Sequence, residues 1–513
     1  MSYALDNLTY LDDIDLTFLE DETAGISQTD LTPEEIGSFK IKPFKHQVEA
    51  INYGLNEANE KWLLLDGMGL GKTSESMYLA ETLHNRGLLE HCLVICGVDS
   101  LRTNWKSEIK KFSNLPAVVL GEYVTRTGKS RYKTIAERCK QLMEPIDEFF
   151  IIVNAATVGY DQFVEAFSKS KNKIDMIILD EAHRFATKTS NRGSNLLKLK
   201  AKYKLAMTGT LITNSPISCY VPLAWTENDH ATLTNYKAQY CVFGGFNDSQ
   251  IVGYKNLKLL QEEIASCSLR RTFDQVRGDM PKKTVEYEIV EMSEEQEKFY
   301  EAVKNGVKEE VDKVELKSGN LLALTTRLRQ ATSAPSVLTS ESIESSKVVR
   351  AVQIAEDLLE SGEKVVIFST FIEPTEILAA KLSRFHPLLA TGKVDDDIAQ
   401  KNITEFRESK DKNLLLCTTA KAGTGYSFPE CHYSVFLDTP WTYALFAQCC
   451  DRIYRITSDQ PVYIKVLVNK DTIDERVKAI IETKRDLGDF LVDGKETISS
   501  KLQDEMRQIL LEL

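Results

Sequence analysis

Short apolar runs alternate with longer mixed segments from about residue 39 to residue 225. Five runs stand out there: WLLLD, CLVIC, FFIIVN, IDMIILD and YKLAMTGT. Each ends in polar or glycine-rich residues and precedes a stretch with helical spacing, which is typical of buried parallel strands joined by crossover helices. A second series begins near Ser346 with KVVIFST, NLLLCTT, YSVFLDTP and PVYIKVLV. The pattern predicts an α/β fold with two parallel-sheet lobes.

The segments around the two series differ from them in composition. Between the lobes, the chain is charged and favours helix, as in SEEQEKFYEAVKNGVKEEVDKVELK, and its last 30 residues predict closing helices. The predicted domains are an acidic N-terminal tail over 1–36, a first lobe over 37–225, a helical insertion and linker over 226–345, a second lobe over 346–485, and C-terminal helices over 486–513.

Charge and composition restrict the class of protein only loosely. Residues 1–39 contain ten acidic and no basic residues, which leaves 63 basic against 66 acidic residues in the rest of the chain. A nearly neutral body neither indicates nor excludes a nucleic-acid partner, because a local groove can supply the attraction. The sequence contains no apolar run near the ~20 residues of a membrane span, no signal-peptide pattern and no C-x-x-C pair. We therefore expect a cytoplasmic protein without a zinc site, neither secreted nor membrane-bound.

The segment LLLDGMGLGKTSES (63–76) is similar to a phosphate-binding loop, but Asp66 occupies the position of the first glycine in the pattern G-x-x-x-x-G-K-[ST]. The segment lies between a predicted strand and a predicted helix, as such a loop requires. Its glycines are Gly67, Gly69 and Gly71. They let the backbone bend tightly and direct N–H groups at phosphate oxygens. Lys72 could then reach the phosphates and the Thr73 hydroxyl could bind Mg²⁺; a glycine turn before a surface lysine is the alternative.

An acidic pair ends a second buried strand, in IDMIILDEAH. Asp180 could hold Mg²⁺, commonly through water, and Glu181 could orient and deprotonate an attacking water. A strand-end acidic turn without function is the alternative. The glycine-rich loop upstream, in a matching strand context, favours the catalytic interpretation.

The order of these motifs resembles the motor of helicase superfamily two and, within it, the Swi/Snf family of double-stranded-DNA translocases. Members have D-E-M-G-L-G-K-T at the phosphate loop, so the aspartate is the family's usual residue. The matching residues here are Asp66, Gly67, Met68, Gly69, Leu70, Gly71, Lys72 and Thr73. The segment LRRTFDQVRGDMPKKTVEYEIV is similar to an element that distinguishes this family, with Arg270 and Arg271 at its arginine pair. The resemblance covers about residues 40–485.

This resemblance implies two RecA-like lobes that bind ATP and Mg²⁺ between them. Outside the loop, the residues implied to contact the nucleotide are Gln47 in FKHQVEAI, Gly425 in TTAKAGTGYSF and Gln448 in QCCDRIYRI. Arg452 and Arg455 follow Gln448 and are three residues apart, so on a helix they would share a face toward the γ-phosphate. An arginine supplied to a phosphoryl transition state is worth roughly 10³–10⁵ in rate.

The implied DNA contacts come from both lobes. They are Asn104, Trp105, Thr208, Thr210, Ser369, Thr370, Lys421 and Trp441. The hydroxyls and the lysine would contact phosphates without reading sequence. The chain departs from the family at Ala399, Tyr443 and 457–458, where an arginine, a proline and a Gly-Gln pair are usual. These departures concern the DNA side and lobe coupling rather than phosphate chemistry.

The resemblance implies a DNA-dependent ATPase that translocates on double-stranded DNA and remodels protein–DNA complexes or branched DNA, by fork regression or branch migration. The alternatives are a strand-separating helicase, a motor subunit of a restriction or defence complex, and a DNA-binding scaffold without activity. The motor-only layout is similar to small prokaryotic or viral members, so we expect a monomer in a prokaryotic or infected host cell. The acidic tail could occupy the DNA cleft as a mimic, and a tail that is simply solvated is the alternative.

Overall fold

Two parallel sheets with flanking helices form the two lobes of the computed structural model. This confirms the predicted fold class. The structure describes residues 30–493 with the exception of 57–58, 68, 98–100, 126–129, 213–214, 228–231, 245–249, 277–280, 314–317, 423–426 and 456–457. In that part of the chain, none of the helices combines the length and the apolar character needed to span a membrane.

The first lobe is built on a parallel sheet. The strands of the lobe, in chain order, are β1 (Lys61–Leu64), β2 (His91–Cys96), β3 (Ala117–Val119), β4 (Glu122–Val124), β5 (Ser130–Tyr132), β6 (Phe150–Asn154), β7 (Ile174–Asp180), β8 (Tyr203–Met207), β9 (Cys241–Gly244), β10 (Gln250–Tyr254) and β11 (Ser268–Leu269). The sheet order is β11-β1-β8-β7-β2-β6-β3, and β4–β5 and β9–β10 form antiparallel hairpins. Since helices cover both faces of this sheet, its central strands are mostly apolar.

Helices pack on both faces of the first sheet. They are α1 (Pro33–Ser38), α2 (Lys45–Leu55), α3 (Lys72–Asn85), α4 (Leu101–Phe112), α5 (Ile135–Met143), α6 (Ala155–Val158), α7 (Asp161–Ser168), α8 (Asn191–Leu196), α9 (Tyr220–Trp225), α10 (Leu233–Tyr240), α11 (Leu257–Ser266) and α12 (Phe273–Val276). Successive strand residues point to opposite faces. Leu63 therefore joins one apolar core and Leu64 the other.

The structure differs from the predicted tail at its C-terminal end. Leu31 and Ile36, which fall within the predicted tail, are buried in the core of the first lobe. Thr32 and Glu35 form a capping box on α1, and Glu35 pairs with Arg86 at 2.7 Å. The acidic count of this segment obscured its apolar positions. The rest of the predicted tail, residues 1–29, lies outside the described residues.

The second lobe repeats the architecture. Its strands are β12 (Lys283–Val290), β13 (Val365–Ser369), β14 (Leu388–Ala390), β15 (Leu414–Thr418), β16 (Tyr433–Phe436) and β17 (Val462–Asn469). Their order in the sheet is β12-β17-β16-β13-β15-β14, and all pairs are parallel. The helices are α13 (Glu294–Lys313), α14 (Ser318–Ser333), α15 (Ser346–Glu360), α16 (Glu373–Lys381), α17 (Asp396–Glu408), α18 (Thr419–Ala422), α19 (Tyr443–Cys450) and α20 (Ile473–Asp493).

The chain crosses from one sheet to the other between β11 and β12. β11 pairs with β1, and β12 pairs with β17 along eight residues. The segment 226–345, predicted as a helical insertion, therefore contributes a strand to each sheet. Neither strand produces an apolar run, because β11 has two residues and β12 is an edge strand rich in polar residues.

The last described helix, α20, belongs to both lobes. Val477 and Ile481 pack in the core of the second lobe, whereas Leu491 packs in the core of the first. The predicted boundary at residue 486 thus falls inside one continuous helix. Residues 494–513, the remainder of the predicted C-terminal helices, lie outside the described residues.

Candidate nucleotide site between the lobes

The phosphate-binding loop joins β1 to α3 and curls around a lysine. Lys72 Nζ donates to the backbone oxygens of Asp66 (2.7 Å) and Gly67 (3.1 Å). Gly69 and Gly71 have φ of 91° and 97°, a region that disfavours a side chain, and a Cβ on Gly71 would lie 2.4 Å from Gln47 Nε2. The loop therefore requires glycine at both positions. Met68 lies outside the described residues.

The side chain of Asp66 binds an arginine. It is fully buried, and its Oδ1 accepts from Arg271 N at 2.8 Å while its Oδ2 accepts from Arg271 Nε at 3.0 Å. The two residues are 205 positions apart. The aspartate thus has a structural partner at the position where the general loop pattern has glycine.

Gln47 is held against the same loop. Its Oε1 accepts from Phe44 N (3.0 Å) at the start of α2, and its Nε2 donates to Ser74 Oγ (2.9 Å) in α3. The side chain is 4% exposed. The structure therefore brings Gln47 beside the loop, as predicted, and the contact with adenine stays a prediction.

The acidic pair follows β7 and adjoins the loop lysine. Burial and the charge of Glu181 raise the pKa of Asp180 to about 6, and Trp105 Nε1 donates to Asp180 Oδ2 at 2.8 Å. Burial also raises the pKa of Glu181, but the hydrogen bond with His183 and the charges of His183, Lys72 and Arg452 outweigh it and lower this pKa to about 2. Two adjacent carboxyl groups with pKa values pushed apart are typical of acid–base sites.

The backbone at the second carboxylate is unusual. Glu181 has a φ of 53°, in the left-handed region. This conformation costs a non-glycine residue energy, and residues that adopt it are concentrated at functional sites. His183 Nδ1 lies 3.2 Å from Glu181 Oε2 and 3.1 Å from Thr208 Oγ1. His183 therefore connects the acidic pair with the end of β8.

Two arginines of the second lobe complete the site. Arg452 Nε donates to Ala422 O at 2.9 Å, and its charge contributes to lowering the pKa of Glu181. Arg455 lies against the phosphate loop, since a Cβ on Gly69 would be 3.3 Å from Arg455 Cδ. Burial, with the charge of Arg452, lowers the pKa of Arg455 to about 10. The interface between the lobes thus joins the loop, the acidic pair and the arginines.

Several polar groups at this interface suit an anionic ligand. Among the described residues, Gln448 Nε2, Arg455 Nε and Thr210 Oγ1 are buried without a hydrogen-bond partner, and such groups cost about 1–3 kcal/mol each. A cleft beside Gly67 is lined by residues of both lobes, Thr210 and Tyr443 among them. The Thr73 hydroxyl and the Asp180 carboxylate are oxygen ligands of the kind that Mg²⁺ prefers. The chemistry of the site therefore fits a nucleotide with Mg²⁺.

The predicted DNA contacts fall into two groups. Trp105, Thr208 and Ser369 are at most 2% exposed. Trp105 binds Asp180, Thr208 contacts His183, and Ser369 donates to Asp438 Oδ2 at 2.7 Å. These internal partners give all three a supporting position, and a direct contact with DNA stays a prediction for them.

The second group includes surface and cleft residues. Asn104 is exposed on α4, and Lys421 pairs with Asp396. Thr370 N donates to Asp438 Oδ1 at 2.8 Å, and the guanidinium of Arg329 lies 4.6 Å from the ring centroid of Trp441. Asp438 and Arg329 thus hold Ser369, Thr370 and Trp441 in place.

Sequence reasoning missed the residues that support the site. They are His183, Phe273, Arg329 and Asp438. Arg271 was identified only as part of the family's arginine pair, without a role. Arg329 is the clearest case, because its buried guanidinium donates to Thr439 O and Thr370 Oγ1 from a helix predicted to be an insertion. A single charged residue in a helical segment does not indicate from the sequence that its side chain will be buried. Gly425 lies outside the described residues.

Comparison with known proteins agrees with this geometry. The model of the SNF2-related domain matches residues 46–337, and that of the helicase conserved C-terminal domain matches 348–457. The fold and the site define a two-lobed helicase-type core. The chain belongs to the SNF2-related family, whose model alone matches more than half of it, and the predicted resemblance is thereby confirmed.

Curated relatives are longer than this chain. The uncharacterized ATP-dependent helicase MG018 of Mycoplasma genitalium is 26% identical over 455 residues, which are 86% of this chain and 41% of that protein. The putative ATP-dependent helicase/translocase YwqA of Bacillus subtilis is 23% identical over 93% of this chain and 52% of its own length. The chain thus spans about half the length of these relatives.

Among solved structures, the Sulfolobus solfataricus SWI2/SNF2 ATPase core in complex with dsDNA is similar. It is 21% identical, with a TM-score of 0.42, and the match covers 93% of this chain and 98% of that one.

Proposed function

We propose that the protein hydrolyses ATP between its lobes and uses the energy to translocate on double-stranded DNA, remodelling protein–DNA complexes or branched DNA. One observation carries the proposal. Arg455 of the second lobe lies against Gly69 in the phosphate loop of the first. The catalytic groups are therefore complete only where the lobes meet, which makes hydrolysis depend on their relative position.

Each group has a role in this proposal. The amides of the loop and Lys72 bind the phosphates, and Thr73 and Asp180 would hold Mg²⁺, which when bound offsets negative charge on the phosphates. Glu181, deprotonated at neutral pH, orients a water and accepts its proton. Arg452 and Arg455 stabilise the charge of the transition state.

Coupling to DNA follows from closure. A duplex held by both lobes changes their relative position, and closure then moves the arginines toward the loop. Repeated closure with alternate grip of the phosphate backbone would carry the protein along the duplex. The names of the two bacterial relatives, a helicase and a helicase/translocase, support such an activity.

A strand-separating helicase is the second candidate. The β9–β10 hairpin carries Val242 and Phe243, each 40% exposed, and an apolar hairpin is suited to separating bases. A strand-displacement assay beside a triplex-displacement assay distinguishes the two functions. We expect displacement of the triplex strand alone, and separation of a plain duplex would favour the helicase.

The test of the proposed function is ATP turnover on linear duplex, single-stranded, forked and four-way-junction DNA at one fixed salt concentration. We expect duplex or branched DNA to raise turnover at least tenfold, and added salt to weaken this effect because phosphate contacts dominate DNA affinity. Lys72→Ala is the control for contaminating ATPase. Equal turnover with and without every DNA would contradict the proposal.

A pH dependence is expected from Asp180. Its pKa of about 6 without a bound metal means that a proton competes with Mg²⁺ for the carboxylate as the pH drops through 6, so turnover at limiting Mg²⁺ should fall there. The Trp105 hydrogen bond lowers this pKa. Trp105→Phe should therefore move the acid limb of the pH–rate profile upward by about one unit, as a hydrogen bond to a charged group is worth about 1.5–3 kcal/mol.

The control for lost packing is Trp62→Phe, another buried tryptophan of the first lobe. It should leave the acid limb at the wild-type pH. If Trp105→Phe also leaves the limb in place, Asp180 does not determine it.

A further inference from the structure

The crossing segment Arg270–Phe273 runs directly beside the phosphate loop. Leu65 N donates to Leu269 O at 2.8 Å, and Gly67 N donates to Arg271 O at 2.9 Å. The parallel pairing of β1 with β11 therefore continues past the strand ends and into the loop. Among the described residues, the chain passes from the first sheet to the second at this segment, which thus begins as a neighbour of the loop.

Arg271 fixes this segment to three elements of the first lobe. Its guanidinium binds both oxygens of Asp66 in the loop, Glu75 Oε1 in α3 at 3.0 Å, and His46 O in α2. The residue is 8% exposed. A buried guanidinium that binds both oxygens of a carboxylate fixes both the distance and the orientation of the two side chains. A lysine ammonium in its place would fix only the distance.

Phe273 connects the same segment to the second lobe. Its ring centroid lies 5.1 Å from that of Tyr454, edge to face. Tyr454 stands between Arg452 and Arg455 in the sequence. On its other side, Phe273 contacts the loop, since a Cβ on Gly69 would lie 3.1 Å from Phe273 Cζ. The ring is therefore placed between the phosphate loop and the arginine motif.

From these contacts we propose that the crossing segment couples the position of the second lobe to the geometry of the phosphate loop. Arg271 is a positioning residue that acts through Asp66, and Phe273 transmits the position of Tyr454. When the lobes separate, Phe273 loses its packing, the segment loosens, and the loop amides lose their register. The loop is then ordered for phosphate only when the arginines are in place.

The coupling itself is tested by hydrogen exchange without nucleotide or DNA, which makes it independent of the proposed function. The amides to follow are those of Leu65 and Gly67, in wild type, Phe273→Leu and Arg271→Lys. We expect both variants to raise exchange at these amides at least tenfold. Unchanged exchange in Phe273→Leu overturns the coupling, because Phe273 is the residue that packs on both the loop and Tyr454.

The matched control is Arg86→Lys. Arg86 also forms a forked pair with a carboxylate, Glu35, at 2.7 and 2.8 Å in the first lobe. It contacts Glu35 of α1 and the backbone oxygen of Asp30. We expect unchanged exchange at Leu65 and Gly67; an increase equal to that of Arg271→Lys would show a general loss of stability and overturn the proposal.

The consequence for catalysis rests on the proposed function. With duplex DNA, we expect Phe273→Leu and Arg271→Lys each to lower kcat at least tenfold. If both act through one coupling, the double variant is no slower than the slower single variant. Losses that multiply in full overturn the coupling. Absence of DNA-stimulated turnover in the wild type overturns the proposed function instead, and hydrogen exchange then decides the coupling alone.

Discussion

Replacing Arg455 with alanine is expected to lower DNA-stimulated ATP turnover about 10³-fold or more. The side chain lies against Gly69 of the phosphate loop, and its Nε has no partner among the described residues. It is thus positioned to stabilise charge on a transferring phosphoryl group, a contribution of roughly 10³–10⁵. Because that charge develops in the transition state, affinity for ATP should fall far less than kcat. Steady-state turnover and binding of a fluorescent ATP analogue measure the two effects.

The control is Arg407→Ala in the same lobe. Arg407 pairs with Glu430 at 3.0 Å, and both side chains are more than 40% exposed. Its loss should leave turnover within a factor of two, since exposed ion pairs contribute little. An Arg455→Ala protein that is folded, by its thermal transition, and hydrolyses ATP at the wild-type rate would rule out hydrolysis between the lobes.

Replacing Glu181 with glutamine is expected to lower turnover about 10²–10⁴-fold, the usual contribution of a positioned general base. The His183 contact and neighbouring positive charges keep the pKa of Glu181 at about 2 despite burial, so the carboxylate accepts a proton at neutral pH. The amide has nearly the same shape and cannot accept it. ATP should still bind, and the variant should remain in the ATP-bound state on DNA, which single-turnover kinetics with labelled ATP can follow.

Glu165→Gln provides the comparison, because Glu165 is an exposed acid of the same lobe paired with Lys169. It should hydrolyse ATP like the wild type. If Glu181→Gln retains more than a tenth of the wild-type rate, another group activates the water, and the assignment of the acidic pair must change.

The two lobes could be predicted because buried parallel strands leave a direct signal. Runs such as IDMIILD and KVVIFST are apolar on both faces, and they form β7 and β13. The point of crossing could not be predicted. β11 is too short to show a pattern, and the edge strand β12 alternates with polar residues. The segment predicted as a helical insertion therefore contains one strand of each sheet that the sequence did not indicate.

The candidate site likewise has a part that could be predicted and a part that could not. The loop, the acidic pair and the arginines are local patterns, and the structure brings Lys72, Glu181 and Arg455 to one interface. Contacts across long sequence separations leave no such pattern. Neither the pairing of Asp66 with Arg271 nor the burial of Trp105 against Asp180 is visible in spacing, because each depends on how separate strands are placed side by side.

The helix α20 has a consequence for how the protein forms during synthesis. Domains generally fold in the order in which the ribosome makes them. Here the core of the first lobe includes Leu491, and α20 packs against α11. The lobe that is translated first therefore cannot close its apolar interior until residue 491, beyond the second lobe's sheet, has emerged. Nascent chains stalled before that point should expose this surface to chaperones, and a first lobe expressed alone should be prone to aggregate.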